Sequence, residues 1–513
     1  MMKIFAAIDV GSYELSMKLF EFSGKNEMKE IDLVRHSIDL GTDSYGTGKI
    51  SQEKVDDLCR VLNEFHKIMD SYHADDYKAY GTSAIRETEN TMILLDQIHQ
   101  RTGLQLSVLS NSEQRFLDYK SVASKGTAFN KIIDSGTAIL DIGGGSIQIS
   151  LFDKDSLVTT QNLRLGVLRL QESIKRLDAR PEQVENLLDE IAESQIAVFK
   201  KLYLKDREIE NIILVDDYLA PIMYKGVEGV MAPSEYVTEK QFDELLNALR
   251  HRSAFERAQK FDVSTEQANL MLYSAILLKQ MLHSMSASKI WIPGVTLCDG
   301  IAYEYAENNK LVTTPHNFEQ DIIASAHNIS KRYQGNRKRA ETLEQISLTI
   351  FDSMKKIHGM GKRERLLLQI ASILHDCGKY ISFTNLGECS YNIIMSTEII
   401  GLSHQEREIV ANVVKYNYND FEYYDTVYSG IMTDKTVYLK IAKLTAILKI
   451  ANGLDRSHKQ KFKDVKMALK DKDLIITVGT NTDITLEKGL FSERAAFFEE
   501  VFSVKPVIRQ RRQ

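Results

Sequence analysis

Two short segments carry the residue types that phosphate chemistry needs. Ala6-Ala7-Ile8-Asp9-Val10-Gly11-Ser12-Tyr13-Glu14 and Ile139-Leu140-Asp141-Ile142-Gly143-Gly144-Gly145-Ser146-Ile147-Gln148 are built alike: an apolar run ending in Asp, a Gly/Ser turn, then strand-like residues. Such a turn can wrap backbone N–H groups around a phosphate, because glycine tolerates positive φ and close backbone approach. An aspartate at the strand end can hold a metal ion directly or through water, or orient a nucleophilic water. A lone Asp-x-Gly is commonly a plain hairpin turn. Three successive glycines after a buried strand cost so much conformational entropy that they imply a need for bare backbone. The pair predicts two similar half-domains facing one phosphate site. Gly11, Ser12, Tyr13, Gly143, Gly144, Gly145 and Ser146 would surround the anion, with Asp9 and Asp141 as metal ligands.

The elements that must position these turns follow from periodicity. Residues 3–37 read as a meander of strands (Ile4 to Val10, Leu15 to Phe22, Ile31 to Val34), and residues 51–73 as an amphipathic helix. Tyr77 to Arg86 reads as a strand entering a helix, with Thr82 or Ser83 as N-cap at an anion-attracting N-terminus. Leu104 to Leu109 is a further strand, followed by a helix from about Ser112. Residues 137–160 repeat the opening strand–turn–strand pattern, and the alternation continues through Ile212 to Val215 and Ile290 to Gly294. From about residue 311 the texture becomes helical, up to about 460. The last fifty residues return to strands (Val465 to Leu469, Leu474 to Val478) and a helix around Ser492 to Phe502. The basic tail Arg509-Gln510-Arg511-Arg512-Gln513 reads as a solvated terminus. The expected domains are 1–125, 126–310, 311–460 and 461–513.

A chain of 513 residues is too long for one core. Its 43% hydrophobic and 27% charged residues describe an ordinary soluble protein. A net charge of −6 gives no global attraction to a polyanion, so no nucleic-acid partner is expected and any anion site must be local. Cys59, Cys298, Cys377 and Cys389 are scattered without CxxC pairing, which fits a reducing compartment and argues against a disulfide framework or zinc finger. No signal-peptide pattern and no apolar stretch of ~18 residues is present, so the expectation is a cytoplasmic protein without a membrane partner.

At this point the residues resemble the exopolyphosphatase and guanosine pentaphosphate phosphatase (Ppx/GppA) family, across essentially the whole chain. Asp9-Val10-Gly11-Ser12 is similar to its first phosphate loop. Asp141-Ile142-Gly143-Gly144-Gly145-Ser146 is similar to the second. Gly81-Thr82-Ser83-Ala84-Ile85-Arg86 is similar to a block whose Arg lies at the phosphate site. Gly166 to Leu170 and Gly294 to Gly300 match later blocks more weakly. The segment Leu374-His375-Asp376-Cys377-Gly378-Lys379 resembles the HD-type helical domain of longer members, and Leu486-Glu487 to Phe502 their small last domain. The resemblance implies an α/β fold of two actin/Hsp70-like (ribonuclease H-like) half-domains facing a cleft. An all-α HD-like domain and a small α+β domain would follow. It also implies hydrolysis of the terminal phosphate of inorganic polyphosphate or guanosine pentaphosphate, assisted by a divalent cation, usually Mg²⁺, and by a water-activating glutamate. Longer members tend to be homodimers.

The departures from the family pattern fall at the chemistry. The first loop continues Tyr13-Glu14, where Asn-Ser is usual. Aligned on Tyr119, the water-activating position holds Gln114, within Glu113-Gln114-Arg115-Phe116, and the second loop ends Ser146-Ile147-Gln148 in place of Ser-Thr-Glu. Glutamine cannot accept a proton, although it can orient a water. Glu113 is adjacent but about 100° away around a helix. The resemblance therefore names Glu113, Gln114, Asp141 and Gln148 as catalytic positions, and Ser83 and Arg86 as phosphate-binding. In the HD-like region Arg339 stands where an earlier His is expected, and Cys389 and Asn417 where further His residues occur, so no metal is expected there. Lys331, Arg332, Arg337, Lys338 and Arg339 form either a solvated face or a channel for a polyanion. Three readings stay open: a phosphatase, a catalytically impaired sensor of polyphosphate or a guanosine nucleotide, and a sugar-kinase-like ATP enzyme.

Overall fold

The computed structural model describes residues 2–511, save 179, 181–182, 315, 427–429 and 463–464. The chain divides into two compact units, Met1–Phe318 and Glu319–Gln513.

The first unit holds two sheets with one topology. In the first, β1 (Lys3–Val10), β2 (Glu14–Gly24) and β3 (Glu27–Ser37) form the antiparallel meander. β4 (Asp76–Gly81) and β5 (Leu106–Val108) add in parallel, giving the order β3-β2-β1-β4-β5. In the second, β6 (Thr137–Ile142), β7 (Ile147–Asp153) and β8 (Ser156–Leu163) repeat the meander. β9 (Asn211–Asp216) pairs in parallel with β6, and β11 (Lys289–Trp291) in parallel with β9, while β10 (Tyr236–Thr238) closes the edge antiparallel. The two hairpins superpose in register. Asp9 faces Ser16 and Val10 faces Leu15, just as Asp141 faces Gln148 and Ile142 faces Ile147. The parallel neighbours correspond too: Val10 lies beside Gly81 and Ile142 beside Asp216.

Strand alternation sets where the aspartates point. Ala6, Ile8 and Val10 enter the core that includes Val55, Leu58, Leu62 and Phe65 of the helix Gln52–Ser71. Phe5 and Ala7 pack on the other face with Leu297, Ile301 and Tyr305 of the helix Leu297–Asn308. Asp9 shares the parity of Phe5 and Ala7. In the second sheet Ala138, Leu140 and Ile142 fill a separate core, which leaves Asp141 on the opposite face with Ile139. The helix Asn111–Ala123 packs close to the helix Leu297–Asn308, because a Cβ at Gly300 would overlap the Leu117 carbonyl.

The second unit is helical from Phe318–Arg332 to Lys435–Leu454 and ends in a sheet of β12 (Val465–Lys470), β13 (Asp473–Gly479) and β14 (Lys505–Arg511) beside the helix Thr485–Phe502. The tail expected to be solvated is exposed from Arg509 to Arg511 and at the same time forms a strand: β14 pairs in parallel with β13, Arg509 opposite Thr477, up to Arg511. Its basic residues alternate with Pro506 and Ile508, a period that pure charge counting overlooks. Arg512 and Gln513 lie outside the described residues.

One glycine ties the second loop to its supporting helix. A Cβ at Gly166, which precedes the helix Val167–Arg176, would overlap the backbone of Gly144 to Ser146. Gly166→Ala is expected to cost ~2 kcal/mol or more. The loss should appear as a lower midpoint in urea unfolding followed by the fluorescence of Trp291, the single tryptophan. Gly489→Ala, where a Cβ meets open space inside a helix, should be neutral or stabilising.

Candidate active site

In both turns the first glycine donates its N–H to the carbonyl of the fourth residue, Gly11 to Glu14 and Gly143 to Ser146, each at 3.0 Å. This places the N–H groups of Ser12, Tyr13, Gly144 and Gly145 at the two apices. None of Gly11, Gly143, Gly144 or Gly145 has a positive φ. The glycines serve close approach instead of left-handed backbone. A Cβ on Gly144 would stand 2.8 Å from the Ser12 Cβ, and one on Gly145 would lie 2.8 Å from Ser83 Oγ and overlap the Tyr45 hydroxyl. The two loops thus face each other across three hydroxyls. Ser12 Oγ lies 2.7 Å from Tyr45 OH and 2.9 Å from Ser83 Oγ, and Tyr45 OH donates to Ser83 Oγ at 2.8 Å. Arg169 caps the group, with its guanidinium 4.5 Å from the centre of the Tyr45 ring and its Nε donating to the Gly145 carbonyl at 2.8 Å.

Beside the loops is a pocket lined by Asp9, Gly11, Ser12, Tyr13, Glu14, Thr82, Ser83, Gln114, Asp118, Asp141, Gly143, Gly144 and the run Val215 to Tyr218. Six of its lining residues are carboxylic acids (Asp9, Glu14, Asp118, Asp141, Asp216 and Asp217), and none is Lys, Arg or His. Desolvation first, and their mutual repulsion after it, sets the electrostatics of this wall. Burial, followed by the charges of Asp217, Asp141 and Glu14, holds Asp9 well above the ordinary carboxylate range. Burial and Asp217 push Glu14 to about 7, against the pull of Arg35. Burial and Asp217 carry Asp141 to about 7, although hydrogen bonds to Asp118 and Gln114 pull it down. Burial raises Asp216 to about 6, and it also raises Asp118 and Asp217. Asp216 accepts from the N–H groups of Tyr218 (2.7 Å), Leu219 and Ala220 (3.2 Å), which fixes it at the end of β9.

The carboxamide of Gln114 is bound at both ends. Its Nε2 donates to Asp141 Oδ2 at 3.2 Å, and its Oε1 accepts from Arg86 Nη1 at 3.5 Å. Arg86 also donates to the Leu109 carbonyl at 2.7 Å and stands behind Gln114, away from the pocket wall. Glu113, expected as a substitute base, is a helix cap. Its carboxylate accepts from the Ser110 N–H at 2.9 Å, while the Glu113 N–H is bound by Ser110 Oγ at 3.3 Å. The 100° rotation that separates it from Gln114 turns it out of the pocket. Gln148 sits beside Asp141 on the neighbouring strand, 2% exposed, and is absent from the pocket wall. Gly145 and Ser146 likewise lie behind the lining residues. Asp118, Asp216, Asp217 and Tyr45 were not singled out from the sequence. Asp216-Asp217 ends an apolar strand as Asp9 and Asp141 do, and Asp118 follows Gln114 by one helical turn, so both signals were present.

In the second unit Arg339 is 1% exposed, so it cannot join Lys331, Arg337 and Lys338 on a surface channel. Its Nη2 donates to Asn452 Oδ1 at 2.6 Å, and its Nε lies 3.5 Å from Asp455 Oδ2. His375 is fully buried and donates from Nδ1 to the Ser372 carbonyl at 2.8 Å. Burial outweighs the attraction of Asp376 and, helped by Arg339, holds His375 down to about 4, so it is neutral at pH 7. Arg339 thus places a fixed cation beside Asp455 and within electrostatic reach of His375. Among the described residues, no group of three or more His, Cys, Asp or Glu forms a ready metal cage in either unit.

The pattern of the Ppx/GppA phosphatase family matches residues 23–309, and that of its domain III matches residues 323–494. The chain belongs to the Ppx/GppA phosphatase family. The first match begins after the β1–β2 turn, so the unusual Tyr13-Glu14 lies outside it. The chain is 19% identical over 424 residues to a guanosine-5'-triphosphate,3'-diphosphate pyrophosphatase of Photobacterium profundum, spanning 80% of each. It is 21% identical over 299 residues to exopolyphosphatase 1 of Mycobacterium bovis, covering 57% of this chain and 86% of the relative. The crystal structure of an exopolyphosphatase from Cytophaga hutchinsonii superposes with a TM-score of 0.53 at 20% identity, over 61% of this chain and 100% of that one. The architecture is accordingly α/β, with two actin-like half-domains followed by a helical region. Among the described residues no helix is long and apolar enough to cross a membrane.

Two stability outcomes follow from these charges. Carboxyls raised in the folded state keep protons that the unfolded chain releases above about pH 4, so stability present at low pH is lost as pH rises through about 7. In chelating buffer, thermal unfolding read by Trp291 fluorescence should occur roughly 5 °C or more lower at pH 8 than at pH 5. An equal or higher midpoint at pH 8 would contradict the buried acidic wall. Arg339→Ala, which leaves Asp455 without its cation, should cost about 3–5 kcal/mol in the helical unit, measured by circular dichroism in urea.

Proposed function

We propose that this chain is a phosphatase that hydrolyses the terminal phosphoanhydride of inorganic polyphosphate, guanosine pentaphosphate or both, with a divalent cation. The acidic pocket between two equivalent hairpin turns, in a chain of this family, carries the reading. A polyphosphate end cannot enter a wall of six carboxyls and no basic residue unless cations accompany it. The residues fit magnesium. Asp9 Oδ1 is buried without a hydrogen-bond partner, and Asp9 and Asp141 end equivalent strands. Two carboxylates with water and substrate oxygens suffice for an ion that binds few protein ligands. When bound there, magnesium supplies charge neutralisation for the phosphates.

The chain's own residues supply the rest. Backbone N–H groups at Ser12, Tyr13 and Gly144 hold the terminal phosphate, and the hydroxyls of Ser12 and Ser83 complete the cradle. The hydroxyl cluster of Ser12, Tyr45 and Ser83 gives up its internal hydrogen bonds to the anion. Gln114, tied to Arg86, fixes the orientation of Asp141. Phosphoryl transfer of this kind depends on positioning and electrostatics more than on covalent chemistry.

The sensor reading has one specific support. Gln114 spends both ends of its amide on protein partners, which suits a site held still. Phosphate release separates the two. With Mg²⁺ and long-chain polyphosphate or guanosine pentaphosphate, the protein should turn over, lose activity in chelator, and lose at least ~10²-fold in Asp141→Ala. Binding without release would favour the sensor.

A further inference from the structure

We propose that the second unit carries a phosphate-binding site of its own, in which Arg339, Asn417, Lys379 and Arg494 hold an orthophosphate group, free or at the end of a chain. The site lies wholly within that unit and stands apart from the phosphatase reading above. Its floor is a relay of hydrogen bonds whose direction is fixed at one end. A guanidinium only donates, so Asn452 must turn Oδ1 to Arg339 Nη2, at 2.6 Å. Asn452 Nδ2 is then left to donate to Asn417 Oδ1 at 3.2 Å. The donor that remains is Asn417 Nδ2, and among the described residues it has no hydrogen-bond partner. Arg339 Nη1 has none either, and the Tyr418 hydroxyl stands beside Arg339 without the geometry of a hydrogen bond. Arg339 and Asn417 are each 1% exposed. Buried donors are ordinarily satisfied, and a purely structural network would not leave these open. Arg494 joins the relay by donating from Nη1 to the Asn417 carbonyl at 3.2 Å.

The charge around this floor is positive in balance. Four cations, Arg339, Lys379, Arg456 and Arg494, lie within electrostatic reach of one another or of His458. Asp455 lies 3.5 Å from Arg339 Nε, Asp376 lies 3.4 Å from Lys379 Nζ, and exposed Glu493 stands near Arg494. Burial and then Arg456 hold Arg494 below the ordinary arginine range, and burial followed by Arg339 and Lys379 holds His458 down. Clustered cations of this kind are relieved by an anion. Lys379, Tyr418 and Arg494 are half-buried, while Arg456 and His458 are exposed, so the cluster runs from the buried floor to the surface. One acceptor narrows the ligand class. His375 Nδ1 bonds the Ser372 carbonyl, so Nε2 keeps its lone pair, buried and without a partner. Orthophosphate has oxygens for the open donors and, at neutral pH, an O–H for this nitrogen, which sulfate lacks. Arg339 keeps its tie to Asp455, and the phosphate takes only its open donor.

The test uses the full chain in chelating buffer at pH 7, where no cation is present to admit a phosphate to the acidic pocket of the first unit. Orthophosphate and tripolyphosphate are titrated by calorimetry into the native protein, Arg456→Gln, Lys379→Gln/Arg494→Gln and the exposed control pair Lys355→Gln/Lys356→Gln. Circular dichroism checks folding. The native protein should bind one orthophosphate per chain, and Lys379→Gln/Arg494→Gln should weaken that binding at least ~10-fold. Arg456→Gln, at the rim, should weaken it about 3-fold, and the control pair should leave it unchanged. Tripolyphosphate binding at least ~10-fold tighter would support a chain end as the occupant, and equal affinities would support free orthophosphate. Absence of saturable binding overturns the proposal. So does equal affinity for sulfate, an equal loss in the control pair, or native affinity in a folded Lys379→Gln/Arg494→Gln. If that double variant does not fold, Arg456→Gln decides, and native affinity there overturns the site.

Discussion

Six carboxyl groups on one pocket wall, with Asp118 and Asp216 buried, Asp9, Glu14 and Asp141 half-buried and no basic side chain among them, are the constraint around which the first unit is organised. Like charges at such a density are costly in a low-dielectric environment, and the protein meets the cost in several ways. Asp216 is tied into backbone N–H groups at the end of β9. Asp141 receives the Gln114 amide, and Glu14 has Arg35 at 3.4 Å. What remains, burial first and repulsion after it, shows as carboxyls raised to about 6 or 7. On the proposed reading a divalent ion would relieve several of these interactions at once. Gly144 and Gly145 of the second loop leave room for Ser12, Tyr45 and Ser83 to touch.

The duplication sets what each half of the wall presents. Five strands of the two sheets correspond, with β10 additional in the second, yet the parallel neighbour of the loop differs in what it presents at its carboxyl end. After β4 the chain offers Thr82 and Ser83, hydroxyls at the start of a short helix. At the equivalent register β9 ends in Asp216, the counterpart of Gly81, and Asp217 follows as the counterpart of Thr82. At this position one copy of the repeat presents hydroxyls and the other carboxyls, while both copies carry the strand-end aspartates Asp9 and Asp141.

The hairpins, their aspartates, the α/β alternation and the helical second half are legible in the sequence because local periodicity and glycine punctuation encode them. The pairing of the two loops is not, since it depends on contacts between residues more than a hundred positions apart. Register along the helix Asn111–Ala123 was half legible. The rotation of Glu113 away from Gln114 follows from 3.6 residues per turn, and the same arithmetic brings Asp118 onto the Gln114 face. An eye on the family position stops at residue 114. Arg339 misleads for the opposite reason. It lies in a run of basic residues, and charge patterning cannot distinguish a solvated arginine from one whose guanidinium is drawn inward by Asn452 and Asp455.

Arg339 and the acidic pocket are two solutions to one electrostatic problem. In the helical unit the carboxylate of Asp455 lies near a covalently attached guanidinium, Asp376 has Lys379 at 3.4 Å, and His375 is kept neutral by burial and by the charge of Arg339. A fixed cation of this kind cannot leave, cannot polarise a water as a metal does, and does not vary with ion concentration. It suits a site whose role is to hold a fold together. In the first unit no side chain fills the equivalent role among the residues that line the pocket. On the proposed reading its compensation would come from solution, arriving with a polyanion and leaving with its product, whereas the charge of Arg339 is permanent.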